Sequence, residues 1–120
     1  MKIPRDEAKR AVSAAATILK SKEPVYLSLK CFREQVEIQG EVGRQRFVEH
    51  LPAKCSGSFH IPVHLERLRA FLQTSGDESI IIKVMDSSMV PNPMCAVHLI
   101  DSRLHEVISL PQDRPIQVLG

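Results

Sequence analysis

The hydrophobic and polar positions of this chain repeat one series of elements twice. In each series, a segment with the three- and four-residue spacing of an amphipathic helix precedes three runs with the alternation of β-strands. The predicted helices are Pro4–Lys20 and Pro62–Gln73. The predicted strands are Val25–Cys31, Gln35–Val42 and Arg46–Cys55 after the first helix, and Ser79–Asp86, Met94–Asp101 and Leu104–Leu110 after the second. This repeat predicts one α+β domain, in which two helices pack side by side on one side of antiparallel sheets and are related by a pseudo-twofold axis.

The first predicted helix has start signals and an apolar stripe of small volume. Pro4 suits a first helical position because an amide hydrogen there would have no partner, and Asp6 and Glu7 favour the positive end of the helix dipole. The stripe consists of Ala8, Val12, Ala15, Ala16 and Leu19. Small side chains allow close packing against a flat partner such as a sheet, although the high helix propensity of alanine explains them equally well.

The second predicted helix begins near Pro62, and Gly76 indicates where it stops. Its apolar side consists of Leu65, Leu68, Phe71 and Leu72. Among the strands, the third run contains Pro52, which cannot donate to a ladder and therefore indicates a bulge or an edge position. We predict a domain over residues 1–111 and a tail over 112–120, in which Pro115 argues against regular structure.

Composition places the chain in the ordinary globular class. Its 120 residues are 43% hydrophobic and 25% charged, with a formal net charge of +2. A single domain of this size buries a proper core, and the mild charge does not by itself indicate a nucleic-acid partner. The sequence shows no membrane-spanning apolar run and no export signal, so we expect a cytoplasmic protein. The three cysteines, Cys31, Cys55 and Cys95, are read as buried reduced thiols.

No catalytic or cofactor motif is visible. The pattern contains no nucleophile elbow and no glycine-rich phosphate loop. His60 and His64 are four residues apart, but Pro62 between them does not assure a shared face, and ordinary polar surface is the simpler interpretation. We therefore predict no catalytic residues, no metal site and no cofactor, and a protein that is not an enzyme.

Three segments carry a resemblance to a known family. Gly57–Leu72 is similar to a short strand that leads into a helix with a leucine core. Ser79–Val84, followed by an acidic turn and Pro91, is similar to the next strand and its loop. Glu106–Pro111 is similar to a last strand with a hydrophobic–proline end. In this order the chain resembles one domain of a DNA sliding clamp, most of all the C-terminal domain of the bacterial clamp. The likeness covers residues 4–114 and is one of order and pattern.

The resemblance implies a surface for DNA. In clamps the helices line a hole around duplex DNA, and lysines and arginines contact its phosphates without reading the sequence. The residues of this chain placed on the outward helix faces are Arg10, Arg67, Lys9 and Lys20, with Arg5 and Arg69 in support. Simple solubility of the helix faces is the competing interpretation, since Asp6, Glu7 and Glu66 dilute the positive charge.

The resemblance also implies partners, with two departures. A bacterial clamp chain has three such domains and closes into a ring of six, whereas this chain has one; we expect a homo-oligomer joined through sheet edges. Clamps also hold partner peptides in a groove, which Ile108, Leu110 and Pro111 would border here. For Ile108 and Leu110 a place in the core is the favoured interpretation, and Gln112-Asp113 replaces the apolar continuation of the clamp sequence.

Two alternatives to a DNA-binding accessory factor stay open. The first is a protein-interaction or regulatory domain that keeps the clamp-like fold without encircling DNA, and binds through a sheet edge or the tail 114–120. The second is a small-ligand binder with a pocket between helices and sheet.

Overall fold

The computed structural model describes residues 1–84, 96–110 and 116–118. The helices are α1 (Arg5–Ile18) and α2 (Leu65–Thr74). The strands within these residues are β1 (Lys2–Pro4), β2 (Tyr26–Phe32), β3 (Gln35–Val42), β4 (Gln45–Pro52), β5 (Phe59–His64), β6 (Ser79–Val84), β7 (Ala96–Ile100), β8 (His105–Ser109) and β9 (Gln117–Val118). Each half of the domain is therefore a strand, a helix and three further strands.

The two halves exchange their first strands. One sheet has the order β1–β6–β7–β8 and the other β4–β3–β2–β5–β9, and every neighbouring pair is antiparallel. The three strands after α1 thus take up β5 from the second half, while the three strands after α2 take up β1 from the first. This reciprocal pairing confirms the predicted α+β fold with its repeated helix and strand unit.

The helices lie side by side and run antiparallel. The guanidinium of Arg5, at the start of α1, reaches the backbone carbonyl of Leu72 near the end of α2 over 3.4 Å. At the opposite end, Ala16 and Thr17 of α1 share a cleft with Leu65 and Arg69 of α2. Helix α1 also contacts β1, β4 and β6, and α2 contacts β5, so both helices cover the sheets.

The core forms where the apolar stripes of the helices meet the inner faces of the sheets. All four residues predicted for the apolar side of α2 are buried, and Ala8, Val12, Ala15 and Leu19 of the first stripe are buried too. Ala16 is only half-buried, whereas Ala11, which was not assigned to the stripe, is 1% exposed. Burial of this apolar surface supplies the main driving force for folding.

The start of the second helix differs from the prediction. Pro62 lies in β5, opposite Ser28 of β2, and α2 begins three residues later. Strand β9 pairs with Phe59 and His60 of β5, and no described residue pairs with the outer side of β5 at Pro62, where a missing amide hydrogen costs little. His64 is the N-cap instead, because its ring nitrogen Nδ1 accepts a hydrogen bond from the amide of Arg67 over 3.3 Å.

The strand predictions agree best where alternation is clean. The bounds of β3 are those predicted, and β4 ends at Pro52 on the edge of its sheet, as expected of that proline. The prediction of an irregular tail is wrong at Gln117–Val118, which form β9 on the outside of β5. The preceding Ile116 is 2% exposed and anchors this short strand.

Some predicted features lie outside the described residues. These are the loop 87–93, the outer ends of two predicted strands at 85–86 and 94–95, Pro111 and the remainder of the tail. Neither helix of the described residues has the length and apolar character that crossing a membrane requires.

Candidate nucleic-acid interface

The six cationic residues predicted to contact DNA fall into two groups. Arg5, Arg67 and Arg69 form ion pairs, whereas Lys9, Arg10 and Lys20 form none within the described ranges. An arginine already paired with a carboxylate adds little net positive charge to a surface. The helix faces therefore carry less free positive charge than the sequence suggests.

The best-formed ion pair joins α2 to a sheet edge. Arg67 contacts the carboxylate oxygen Oε1 of Glu106 through Nη2 at 2.6 Å and donates to it through Nε at 2.9 Å. Glu106 belongs to β8, one of the two outer strands in the described four-stranded sheet. Both side chains are about one-third to one-half exposed, so the pair contributes little to stability, but it neutralises the charge of Arg67.

The other two paired arginines support the helices. Arg69 reaches Glu66, one turn earlier in α2, at 3.4 Å, and Arg5 reaches Asp6 at 2.7 Å. Only 22% of the Arg5 side chain is exposed, and its second contact is the carbonyl of Leu72. Arg5 therefore connects the two helices rather than presenting a free charge.

Two cations of α1, Lys9 and Arg10, have no ion-pair partner in the described part of the chain. Arg10 is exposed and Lys9 is half-buried. Asp6 lies one helical turn before Arg10, but its carboxylate contacts Arg5. Among the residues that the structure describes, these two cations, and not those of α2, form no ion pair in the helix layer.

Lys20 lies outside the helix that was predicted to carry it. Helix α1 ends at Ile18, and the backbone amide of Lys20 donates to the side-chain oxygen Oε1 of Gln45 over 3.2 Å. This bond places Lys20 beside the turn between β3 and β4; Arg44 of the turn and Arg46 of β4 are both exposed. Helical spacing could not indicate these two arginines because they lie in a hairpin; the signal in the sequence was a glycine followed by two cations, Gly43-Arg44-Gln45-Arg46.

The residues proposed to border a partner groove are buried where they are described. Ile108 is 1% exposed and Leu110 is 7% exposed, and both belong to the hydrophobic core. Pro111 lies outside the described residues. The neighbour of Ile108 on the opposite face of β8, Val107, is 46% exposed. A groove role for Ile108 and Leu110 stays a prediction, and little of either side chain is available to a partner.

Two pairs of polar side chains occupy the sheets. On β7 and β8, Nδ1 of His98 and Nε2 of His105 are 2.5 Å apart, and burial, the charge of His105 and that of Lys83 lower the pKa of His98. On β2 and β5, the hydroxyl of Ser28 lies 2.5 Å from Nε2 of His60. Within residues 1–84, 96–110 and 116–118 no three His, Cys, Asp or Glu side chains come together as metal ligands.

The two histidines considered as a metal pair, His60 and His64, are held apart by the extended backbone of their strand. His60 and His64 both lie in β5, four residues apart, which corresponds to about 13 Å along an extended chain. His60 contacts Ser28 and His64 caps α2, so each ring has its own structural contact.

Two of the cysteines are neighbours. Cys31, in β2, is buried, and Cys55, which follows β4, is half-buried; both are free thiols. Burial and the adjacent Cys31 thiol raise the pKa of Cys55 to about 11. A thiol with so high a pKa as that of Cys55 is a poor nucleophile. Cys95 lies outside the described residues.

Comparison with known proteins connects this fold to DNA clamps. No protein-family model matches the chain, and no curated protein sequence does. Among solved structures, a Helicobacter pylori beta clamp in complex with diflunisal superposes with a TM-score of 0.78 at 8% identity, over 93% of this chain and 30% of the clamp chain. A Bartonella birtlesii sliding clamp (DNA polymerase III subunit beta) bound to griselimycin has a TM-score of 0.76 at 14% identity, over 100% and 32%. A Pseudomonas aeruginosa DNA polymerase sliding clamp has a TM-score of 0.76 at 15% identity, over 94% and 30%.

These likenesses show the fold. The chain has the structure of a single clamp-like domain and spans about a third of the length of the clamps that it resembles.

Proposed function

We propose that the protein is a non-enzymatic, cytoplasmic accessory factor of DNA replication or repair, which binds duplex DNA without sequence preference as an oligomer. The observation that carries this proposal is the fold: nearly the whole chain superposes on one domain of the Helicobacter pylori beta clamp. At this identity the likeness concerns architecture, so DNA binding needs its own test.

The arrangement of layers supports the proposal. The helices lie together on one side of the sheets, so copies joined at sheet edges would turn their helices toward a shared centre. Arg10 and Lys9 would then face a duplex inside the assembly. Contacts of this kind go to phosphates and carry no sequence information.

Open sheet edges supply the means of assembly. Among the described strands, β8 is an outer strand of one sheet and β4 is an outer strand of the other. Val107 on β8 is 46% exposed and Val48 on β4 is 51% exposed. Unpaired edge strands attract other chains, and a β4-to-β8 contact is heterologous, so its repetition closes a ring or extends a filament. We propose a homo-oligomer formed in this way.

A topology experiment tests the proposal. Protein incubated at low salt with closed circular DNA and with the same DNA linearised is separated by gel filtration at higher salt. A closed ring remains on the circle and is lost from the linear form. Equal loss from both forms would exclude encirclement, and absence of binding to either at low salt would exclude the DNA function.

A second candidate function rests on the ion pairs. Ion pairs neutralise Arg5, Arg67 and Arg69, and this favours an interaction or regulatory domain that does not enclose DNA. The sheet edges would then serve a protein partner, such as a clamp-associated protein. Light scattering that shows assembly, together with no DNA retention on either template, would favour this candidate.

A further inference from the structure

We infer that the main contact with nucleic-acid phosphates is a cationic patch at the end of α1, formed by Lys20, Lys22, Arg44 and Arg46. The inference rests on the proposed function and names the surface that would perform it. This patch combines the segment between α1 and β2 with the turn between β3 and β4, which are about 25 residues apart in the sequence.

The two segments are held together by a specific hydrogen bond. The backbone amide of Lys20 donates to Oε1 of Gln45 over 3.2 Å. Gln45 directly follows Arg44 and begins β4, and it pairs across the turn with Val42. Lys20 is therefore fixed next to the turn that carries Arg44, and Arg46 is the second residue of the strand that follows.

Close packing below the patch fixes the same arrangement. Leu19, the last residue before the patch, is 3% exposed and lies directly against Gly40 of β3. A Cβ atom at Gly40 would overlap the side chain of Leu19 and lie 2.9 Å from that of Leu27. The absence of a side chain at Gly40 lets the end of α1 rest on the β3–β4 hairpin.

The turn itself is tight and presents Arg44 to solvent. Gly43 has φ of +58°, a conformation that L side chains rarely adopt, and the space around it is open. Arg44 follows it, and Arg44, Arg46, Lys20 and Lys22 are all exposed. A rigid turn with exposed cations loses little conformational freedom on binding.

The charge of the patch is free, in contrast to that of α2. Within residues 1–84, 96–110 and 116–118 none of its four cations forms an ion pair, while both arginines of α2 do. Two carboxylates belong to the same segments, Glu23 and Glu41. Glu41 lies opposite Arg46 across the strands without an ion contact. Four cations against two carboxylates leave an excess of positive charge for phosphates, which release their counterions when bound.

The test compares charge-removing variants on a short duplex DNA. DNA affinity is measured from low to moderate salt for the wild type and for three double variants. Two of these alter the patch, Arg44→Gln with Arg46→Gln and Lys20→Gln with Lys22→Gln, and the control is Arg67→Gln with Arg69→Gln. We expect each patch variant to lower the slope of log affinity against log salt by about 1.8, since each phosphate contact contributes about 0.9. The control variant should keep the wild-type slope, because its arginines are already neutralised.

The outcomes separate this inference from the proposed function. If the wild type binds DNA and both patch variants keep the wild-type salt slope, the patch is not the contact and DNA binding lies elsewhere. The same conclusion follows if the control variant loses as much slope as the patch variants do. If the wild type does not bind DNA at low salt, both proposals fail. Arg46 lies on the β4 edge, where a substitution could also change assembly, so the oligomeric state of each variant is measured by light scattering. The lysine pair lies outside the strands and therefore tests the patch independently of assembly.

Discussion

The backbone amide of Leu65 donates a hydrogen bond to the carbonyl of Val25 over 2.8 Å. Leu65 is the first residue of α2, and Val25 directly precedes β2 in the other half of the domain. The amide of Arg5, the first residue of α1, donates in the same way to Glu78, directly before β6, again over 2.8 Å. Each helix start thus obtains from the opposite half a partner that its own helix cannot supply.

Hydrogen exchange tests this reciprocal anchoring. We expect the amides of Leu65 and Arg5 to exchange at least about tenfold more slowly than that of Glu66, because first-turn amides of a helix otherwise have no partner. The amide of Arg67, which donates to His64, should also be protected. NMR measures the exchange rate of each backbone amide. An amide of Leu65 that exchanged as fast as that of Glu66 would contradict the anchoring.

Stability should decrease as the solution becomes acidic, through His98. Its pKa is lowered from the ordinary 6.5, first by burial and then by the charges of His105 and Lys83. The unfolded chain therefore binds a proton before the folded chain does as the pH falls below about 6.5, and stability decreases until the folded pKa is passed.

The measurement is the melting temperature of the protein as the pH is lowered through and below about 6.5. His98→Gln should flatten the decrease, whereas His50→Gln, at an exposed position on β4, should retain it. An unchanged pH profile in His98→Gln would mean that the decrease arises elsewhere.

Gly40→Ala should destabilise the domain by about 1–3 kcal/mol, as overpacking of a filled core does. The added methyl group would meet Leu19 and Leu27, which are buried and cannot move aside freely. Gly76→Ala is the matched control, because nothing lies within 4 Å of its added Cβ. Urea unfolding that finds the two variants equally stable would contradict the close packing of α1 on β3.

Cys55 should react slowly with thiol reagents. A pKa of about 11 in place of the ordinary 9.0 lowers its thiolate fraction at pH 8 by about a hundredfold. Alkylation by iodoacetamide, followed by peptide mass spectrometry, resolves each cysteine, and the urea-unfolded protein is the reference. Cys31→Ala should accelerate the reaction of Cys55 in the folded protein, since the neighbouring thiol contributes to the raised pKa.

The sequence by itself determined which faces are buried. Alternation placed Val36 and Ile38 of β3 in the core, and helical spacing did the same for Leu65 and Leu68 of α2, because a local period reports directly which side of an element avoids water. From these elements and their order, the likeness to a clamp domain could also be recognised before the structure was known.

Only the tertiary structure decided which elements pair and which charges remain free. Nothing local to Lys2–Pro4 or Phe59–His64 indicates that each joins the sheet of the other half, since those partners are brought together by the path of the chain. Arg67 is neutralised by a carboxylate 39 residues away, and Lys20 joins a turn 25 residues away. A periodicity describes one element at a time, whereas ion pairs and surface patches depend on distances between elements, and these exist only once the core has packed.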